Sequence, residues 1–360
     1  MPTLSIVQIV LLAALGLTLF VLAWVTIAGR HLSLPFEFDE LHCLTAADGG
    51  RYVLARLRPR AGPSPLPPVL LCHGLAMNRR AFALDPQTSL ARRLSDAGRD
   101  VWVLELRGAA ANTRGPGLRL ANFDTYLRQD VPAALAEVRE RTGSDKVDWV
   151  GFSMGGMLAY AHLGARRGTE VRRLVTIGSP VSFDKHWLRR GPGVIPLLLV
   201  PFRGLPRVPF RLLALLPAPI MAPWLPWWIT RGLRPRHYTP EMLRRVMANT
   251  LHDVPSGVAF QFARWLRHGT FDSDDGADDY FASIADITVP TLIIAGSQDA
   301  LAPAHAVEAA WERIGSRDRT YVCVGPASGA SDHYDHLDLI LGGKAGDEVF
   351  PMVCRWLDQE

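Results

Sequence analysis

The sequence predicts an α/β protein: a mostly parallel sheet with helices on both faces, one inserted and mainly helical cap, and an apolar N-terminal helix. Three observations predict it. Short runs rich in Val, Ile and Leu alternate with amphipathic stretches along most of the chain. One stretch of roughly a hundred residues breaks that alternation. The first thirty residues contain a long run without charge.

That run, Ile6 to Ala28, is 23 residues. At about 1.5 Å per residue it reaches about 34 Å, enough to cross a bilayer core. Trp24 sits near one end, as interfacial aromatic residues do. A cleaved signal peptide fits less well: Met1 to Ser5 has no Lys or Arg, the run is too long, and no A-x-A site follows. A single-pass anchor is therefore expected. Arg30 is the only nearby basic residue and lies after the span, which favours a cytoplasmic body on a bacterial inner membrane.

Phe36 to Arg58 reads as two strands around the turn Ala47-Asp48-Gly49-Gly50, followed by the proline-rich connector Pro63 to Pro68. The strand-like runs are Val69 to Cys72, Asp100 to Leu106, Val147 to Phe152, Val171 to Ile177, Val289 to Ala295 and Arg319 to Val324. Helical stretches are expected at Ser89 to Ala97, Phe123 to Arg141, Met154 to Arg166, Ala304 to Ile314 and Glu348 to Gln359. Between Ser182 and Asp286 there is no parallel-strand run, but Pro240 to Leu251 and Ser256 to Arg267 read as helices. The expected division is 1–30 anchor, 31–181 first part of the core, 182–286 cap, and 287–360 second part of the core.

Globular composition, with 48% hydrophobic and 21% charged residues in 360, excludes a disordered chain, a collagen-like repeat or a coiled-coil rod. The formal charge is +4, and three of the 39 basic residues are lysines. Cys43, Cys72, Cys323 and Cys354 form no C-x-x-C pair and read as buried thiols. The acidic cluster Asp272, Asp274, Asp275, Asp278 and Asp279 lacks the downstream glutamate of a calcium loop and reads as a solvated hinge. No metal, organic cofactor or nucleic-acid partner is expected.

Gly151-Phe152-Ser153-Met154-Gly155-Gly156 is a G-x-S-x-G placed between a strand-like run and a helical stretch. A serine in so tight a turn needs small neighbours, among them Gly151 and Gly155. In return its hydroxyl stands clear of the sheet beside a helix N-terminus. A serine nucleophile needs a base and an orienting acid, which this layout supplies later in the chain. Asp299 follows the run Val289 to Ala295, at the C-terminal end of a strand where catalytic residues of parallel sheets gather. His333 and His336 both follow the last run, three residues apart, and spacing does not choose between them. The first parallel strand ends in Cys72-His73-Gly74-Leu75, whose backbone N–H groups could meet that of Met154. Leu75 and Met154 are the expected oxyanion donors, Gly74 sets the geometry, and His73 is expected to anchor the loop.

Over residues 37 to 360 this layout resembles the α/β-hydrolase superfamily. Three motifs resemble its acid lipase and esterase branch: His73-Gly74-Leu75 followed by Asn78, Gly151-Phe152-Ser153-Met154-Gly155, and His336-Leu337-Asp338. The resemblance implies that His336, which opens the H-x-D motif, is the base, leaving His333 as a surface loop residue. A weaker similarity to polyhydroxyalkanoate synthases meets a departure, since their nucleophile is cysteine where this chain has Ser153.

From Lys185 to Pro240 the chain carries nine basic residues and no Asp or Glu: Lys185, Arg189, Arg190, Arg203, Arg207, Arg211, Arg231, Arg234 and Arg236. Trp187, Phe202, Phe210, Trp224, Trp227 and Trp228 share the stretch, a combination suited to an anionic lipid surface. The expected activity is hydrolysis of carboxylic esters of apolar or lipid-like substrates through Ser153, His336 and Asp299. Acyl transfer on the same triad and non-catalytic lipid binding are the alternatives.

Overall fold

A computed structural model of the chain describes residues 5–60, 62, 64–85, 89–109, 115, 117–118, 121–184, 200–202, 204–215 and 237–359. Helix α1 (Ile6–His31) opens the chain, with Ser5 accepting from the Gln8 amide as its cap. Strands β1 (Glu40–Thr45) and β2 (Arg51–Leu57) form an antiparallel hairpin. Its turn closes through Ala46 N–H on Gly50 O, with Gly49 at φ 82°.

The remaining main-sheet strands are β3 (Val69–Cys72), β4 (Val101–Glu105), β5 (Val147–Phe152), β6 (Val171–Ile177), β9 (Thr291–Gly296) and β10 (Arg319–Val324). With the hairpin they make an eight-stranded sheet in the order β1-β2-β4-β3-β5-β6-β9-β10. All neighbours from β4 to β10 are parallel, while β1, β2 and β4 pair antiparallel. Strands β3, β4, β5 and β9 are buried along their whole length, which is why they read as predominantly apolar runs, with Glu105 in β4 and Asp148 in β5 each paired to an arginine.

The helices cover both faces. Leu70, Cys72, Trp102 and Trp149 pack with α3 (Val131–Thr142), α4 (Met154–Leu163), α7 (Ser256–His268) and α8 (Ala304–Arg313). The alternate residues Val69, Leu71, Val103 and Val150 pack with α2 (Leu90–Asp96), α6 (Pro240–Thr250) and α9 (Phe350–Leu357). The stretch expected as one helix from Phe123 is broken in register. Tyr126–Asp130 is a π turn in which Val131 N–H bonds to Tyr126 O. Pro132, without an amide hydrogen, cannot close the usual bond to Arg128.

After β6 the chain leaves the sheet and returns at β9, the strand hydrogen-bonded to β6. The excursion contains α5 (Phe210–Leu215), α6, α7 and a short antiparallel pair, β7 (Arg207–Val208) with β8 (Val254–Pro255). Lys185, Arg189, Arg190, Arg203, Arg231, Arg234 and Arg236, with Trp187, Trp224, Trp227 and Trp228, lie outside the described residues. Arg207 does not stand unneutralised: Asp253, beyond the basic stretch, meets its guanidinium at 3.3 Å and accepts the Arg211 amide. The acidic cluster is more than a solvated hinge, since Arg128 bridges Asp275 and Asp278 at 3.2 Å each. Of the four cysteines expected to be buried, one is fully so. Cys72 is buried, Cys323 and Cys354 are half-buried, and Cys43 is exposed because β1 is the edge strand and this residue faces outward.

Candidate active site

The chain order β3, β4, β5 becomes the spatial order β4-β3-β5, so the loops leaving β3 and β5 diverge over the same point of the sheet edge. Such reversals make a crevice at the C-terminal ends of parallel strands. Ser153 stands there, between β5 and α4, with φ 51° and ψ −118°. A side chain in that region of backbone space is strained, at a cost of about 1–3 kcal/mol.

The flanking glycines permit this turn. A Cβ on Gly151 would lie 2.4 Å from Gly156 N, one on Gly155 would lie 2.0 Å from Cys72 O, and one on Gly156 would lie 2.1 Å from Ser179 Oγ. None of these positions accepts a methyl group. Ser153 N–H donates to Ile177 O at 2.8 Å, while its own carbonyl accepts from Gly156 and Met157. Met154 opens α4, so its amide is one of those that a helix leaves without an internal acceptor.

The loop after β3 packs directly on the serine. A Cβ on Gly74 would sit 3.0 Å from Ser153 Cβ and 3.1 Å from the Phe152 ring. Leu75 follows at once, and among the described residues its amide donates to no other group. His73 is buried, and Leu106 N–H donates to its Nε2 at 3.3 Å. The proton therefore sits on Nδ1, which donates to Gly74 O at 2.8 Å. Burial pushes the ring's pKa down to about 4. His73 is thus a neutral post that fixes the loop.

Asp299 and His336 meet at the same edge. Asp299 Oδ2 lies 2.7 Å from His336 Nδ1, and its Oδ1 accepts from the amides of Leu301 and Ala302 at 2.8 and 2.6 Å. Both side chains are buried. Burial disfavours the charged imidazole, but Asp299, with help from Asp335 and Asp338, outweighs it and holds the His336 pKa above its ordinary value. The ring rests on Phe152, centroids 4.8 Å apart, and on Gly178, where a Cβ would come within 3.2 Å of Cε1 and Nδ1. Ser153 and His336 thus share Phe152 and the Ile177–Gly178 turn as neighbours. With Nδ1 committed to Asp299, Nε2 is the nitrogen left for proton exchange.

His333 lies apart from this group. It is half-buried, not a surface residue, because Ser297 Oγ meets its Nδ1 at 3.0 Å. Sequence reasoning missed two contributors. Gly178, at φ 57°, makes room for the His336 ring, and Asp335 Oδ1 accepts the His336 and Ala300 amides at 2.8 and 3.0 Å. A glycine directly after a buried parallel strand was the available signal for Gly178. Among the described residues no cluster of His, Cys, Asp and Glu could hold a metal.

Residues 67–194 match the family described as alpha/beta hydrolase fold. Lipase member M from Homo sapiens is 30% identical over 186 residues, covering 47% of this chain and 42% of that protein. The poly(3-hydroxyalkanoate) polymerase subunit PhaC from Allochromatium vinosum is 24% identical over 335 residues, 84% of each chain. The match therefore spans less than half of the lipase and most of the polymerase subunit. Among solved structures, an esterase from Exiguobacterium antarcticum superposes with a TM-score of 0.57 at 18% identity, over 88% of this chain and 99% of that one. The sheet order, the strained serine turn and these likenesses have one reading in common: the chain has the α/β-hydrolase fold, and residues 67–194 match the model of that family.

Proposed function

We propose that the protein is a membrane-anchored serine hydrolase that cleaves carboxylic esters with an apolar, lipid-like acyl group. The observation that carries this is the buried Asp299–His336 pair at 2.7 Å, set against the same turn that holds the strained Ser153. In this reading His336 Nε2 takes the Ser153 proton as Oγ attacks the ester carbonyl. The amides of Leu75 and Met154 stabilise the tetrahedral oxyanion. His336 then protonates the leaving alcohol, and water, activated by the same ring, hydrolyses the acyl-enzyme. Asp299 keeps the proton on Nδ1, so that Nε2 presents its lone pair to the serine. Residues 182–286 act as a cap over the site, 31–181 and 287–360 form the catalytic core, and 1–30 the anchor. Arg30, just after the apolar span, favours a body on the cytoplasmic side.

The similarity to a polymerase subunit along most of both chains favours a second reading, in which an alcohol or thiol intercepts the acyl-enzyme. Labelling with a fluorophosphonate probe tests the shared first step. The wild-type chain should be modified at Ser153 alone and the Ser153→Ala variant not at all; an unlabelled wild type in both detergent and lipid would overturn the nucleophile. Incubation with an ester and an acceptor alcohol then separates the two outcomes by the ratio of free acid to new ester.

A further inference from the structure

The way α1 joins the body carries information about where the site faces. Along the helix, Leu11, Leu17, Phe20 and Ile27 are each more than 60% exposed, and Leu12, Leu15, Leu19 and Leu22 more than half. From Leu11 to Phe20 every residue is exposed, so the outer part of the helix is bare on all sides. One partner groove would cover one side; a bilayer covers all of them. Towards the body one side closes: Val21, Trp24 and Val25 are half-buried, Ala28 is buried, and a Cβ on Gly29 would lie 3.7 Å from both Arg211 and Leu215 of α5.

Just past the helix, Leu32 and Leu34 are both held by the side chain of Asn249. Asn249, near the end of α6, accepts the Leu34 amide on Oδ1 at 3.0 Å and donates from Nδ2 to Leu32 O at 2.8 Å. Arg80 adds a bond to Leu34 O at 2.7 Å. The same turn of α6 is fastened to the loop that follows Leu75. Asn78 donates its side-chain amide to Asn249 O at 2.9 Å and its backbone amide to Thr250 O at 3.1 Å, and His252 N–H donates to Ala76 O at 2.8 Å. A single asparagine thus separates the end of the apolar helix from the strand-end loop that packs on Ser153. The opposite edge of the sheet is built differently, from a charge network in which the buried Arg99 and Asp148 meet the half-buried Arg172. Outside α1, three of the five exposed large apolar residues among those described are Val200 and Leu205 in the excursion and Leu301 beside Asp299.

We propose that the Asn249 clasp holds the C-terminal edge of the sheet against the bilayer, so that the Ser153 site takes a long-chain ester directly from the lipid phase. This rests on the serine-hydrolase and anchor readings above. An acyl chain entering from the membrane never exposes its methylenes to water, whereas one arriving through solvent must.

The test uses the full chain in phosphatidylcholine–phosphatidylglycerol vesicles, with a flexible twenty-residue Gly/Ser insertion between His31 and Leu32 that keeps the anchor but frees the body. Hydrolysis of methylumbelliferyl palmitate dissolved in the vesicles should fall at least tenfold, while hydrolysis of p-nitrophenyl acetate and fluorophosphonate labelling stay within twofold of the parent. Asn249→Ala should act in the same direction and replaces the insertion if that variant loses labelling. Unchanged turnover of the palmitate would overturn the proposal. A measurement independent of catalysis keeps it separate from the hydrolase reading. In a Cys43→Ser background, bimane on Leu205→Cys should be quenched by brominated lipid several-fold more than bimane on Asp145→Cys at the far edge; equal quenching overturns the orientation whatever Ser153 does.

Discussion

Replacing Asp299 by asparagine separates the orienting role of this carboxylate from its structural one. Oδ1 accepts two backbone amides, from Leu301 and Ala302 at 2.8 and 2.6 Å. In Asp299→Asn those donors hold the carbonyl oxygen of the new amide, which turns its NH2 group toward His336 Nδ1, 2.7 Å from the position vacated by Oδ2. A donor facing Nδ1 makes that nitrogen the acceptor and moves the ring proton to Nε2, the atom that must receive the serine proton. The fold keeps its loop contacts while the base is presented in the wrong tautomer. The expected loss in kcat is about 10⁴-fold, or about 5 kcal/mol of activation free energy. The pH profile changes as well. His336 acts as base when neutral, and its pKa is held above the ordinary 6.5, so the wild-type rate should climb with pH through a limb above 6.5. That limb should move down in the variant. Stability follows the opposite sign. A raised histidine stabilises the fold below its unfolded pKa, and this contribution fades as pH rises through the folded value. The melting gap between wild type and Asp299→Asn should therefore be wider at pH 6 than at pH 9. Ester hydrolysis and thermal melts across that range suffice. A variant with more than a tenth of wild-type kcat and an unmoved limb would refute the assignment of Asp299.

Gly155→Ala places a methyl group 2.0 Å from Cys72 O and should cost more than about 3 kcal/mol in denaturant unfolding, or abolish soluble expression. Gly74→Ala meets side-chain atoms at 3.0–3.3 Å, so it should keep the fold but lose about 10²-fold in kcat as the oxyanion loop shifts. Ser153→Gly should raise stability by about 1 kcal/mol, because glycine occupies φ 51° without strain, and should abolish labelling. Asp130→Ala removes a buried carboxylate whose Oδ1 accepts from Arg107 Nε at 2.8 Å. The stranded guanidinium should cost about 3 kcal/mol in chemical denaturation, the lower end for a broken buried pair because Asp48 remains at 2.6 Å.

The sheet was legible because its strands are buried on both faces. Val69 to Cys72 is an unbroken apolar run, Val147 to Phe152 is interrupted only by the arginine-paired Asp148, and both are completely buried in the structure, so composition marks them. Edge elements carry less signal: in β1 alternate residues face solvent, and Cys43 consequently faces water where a buried thiol was expected. The π turn at Tyr126–Asp130 was illegible for another reason. It depends on one missing hydrogen bond at Pro132 inside a stretch whose apolar spacing is otherwise helical.

The parts of the site divide along the same physical line. Ser153 and its glycines can be read because the constraint is local: a tight strand-to-helix turn needs small residues at fixed offsets, whatever the rest of the chain does. The choice between His333 and His336 is not local. In the proposed site it rests on which ring reaches the Asp299 carboxylate, 37 residues away in sequence, and on Gly178 and Phe152 making a bed for that ring. Asn249 lies further still from legibility, since one asparagine near a helix end joins Leu32 and Leu34, 215 or more residues earlier, to a helix fastened to the Ser153 loop. Residues whose role is to join distant segments leave no periodic or motif signature. They are also the ones that couple the anchor to the chemistry, so substitution at Asn249 should separate turnover of membrane-borne and water-soluble esters more cleanly than any change at Ser153, His336 or Asp299, which would abolish both together.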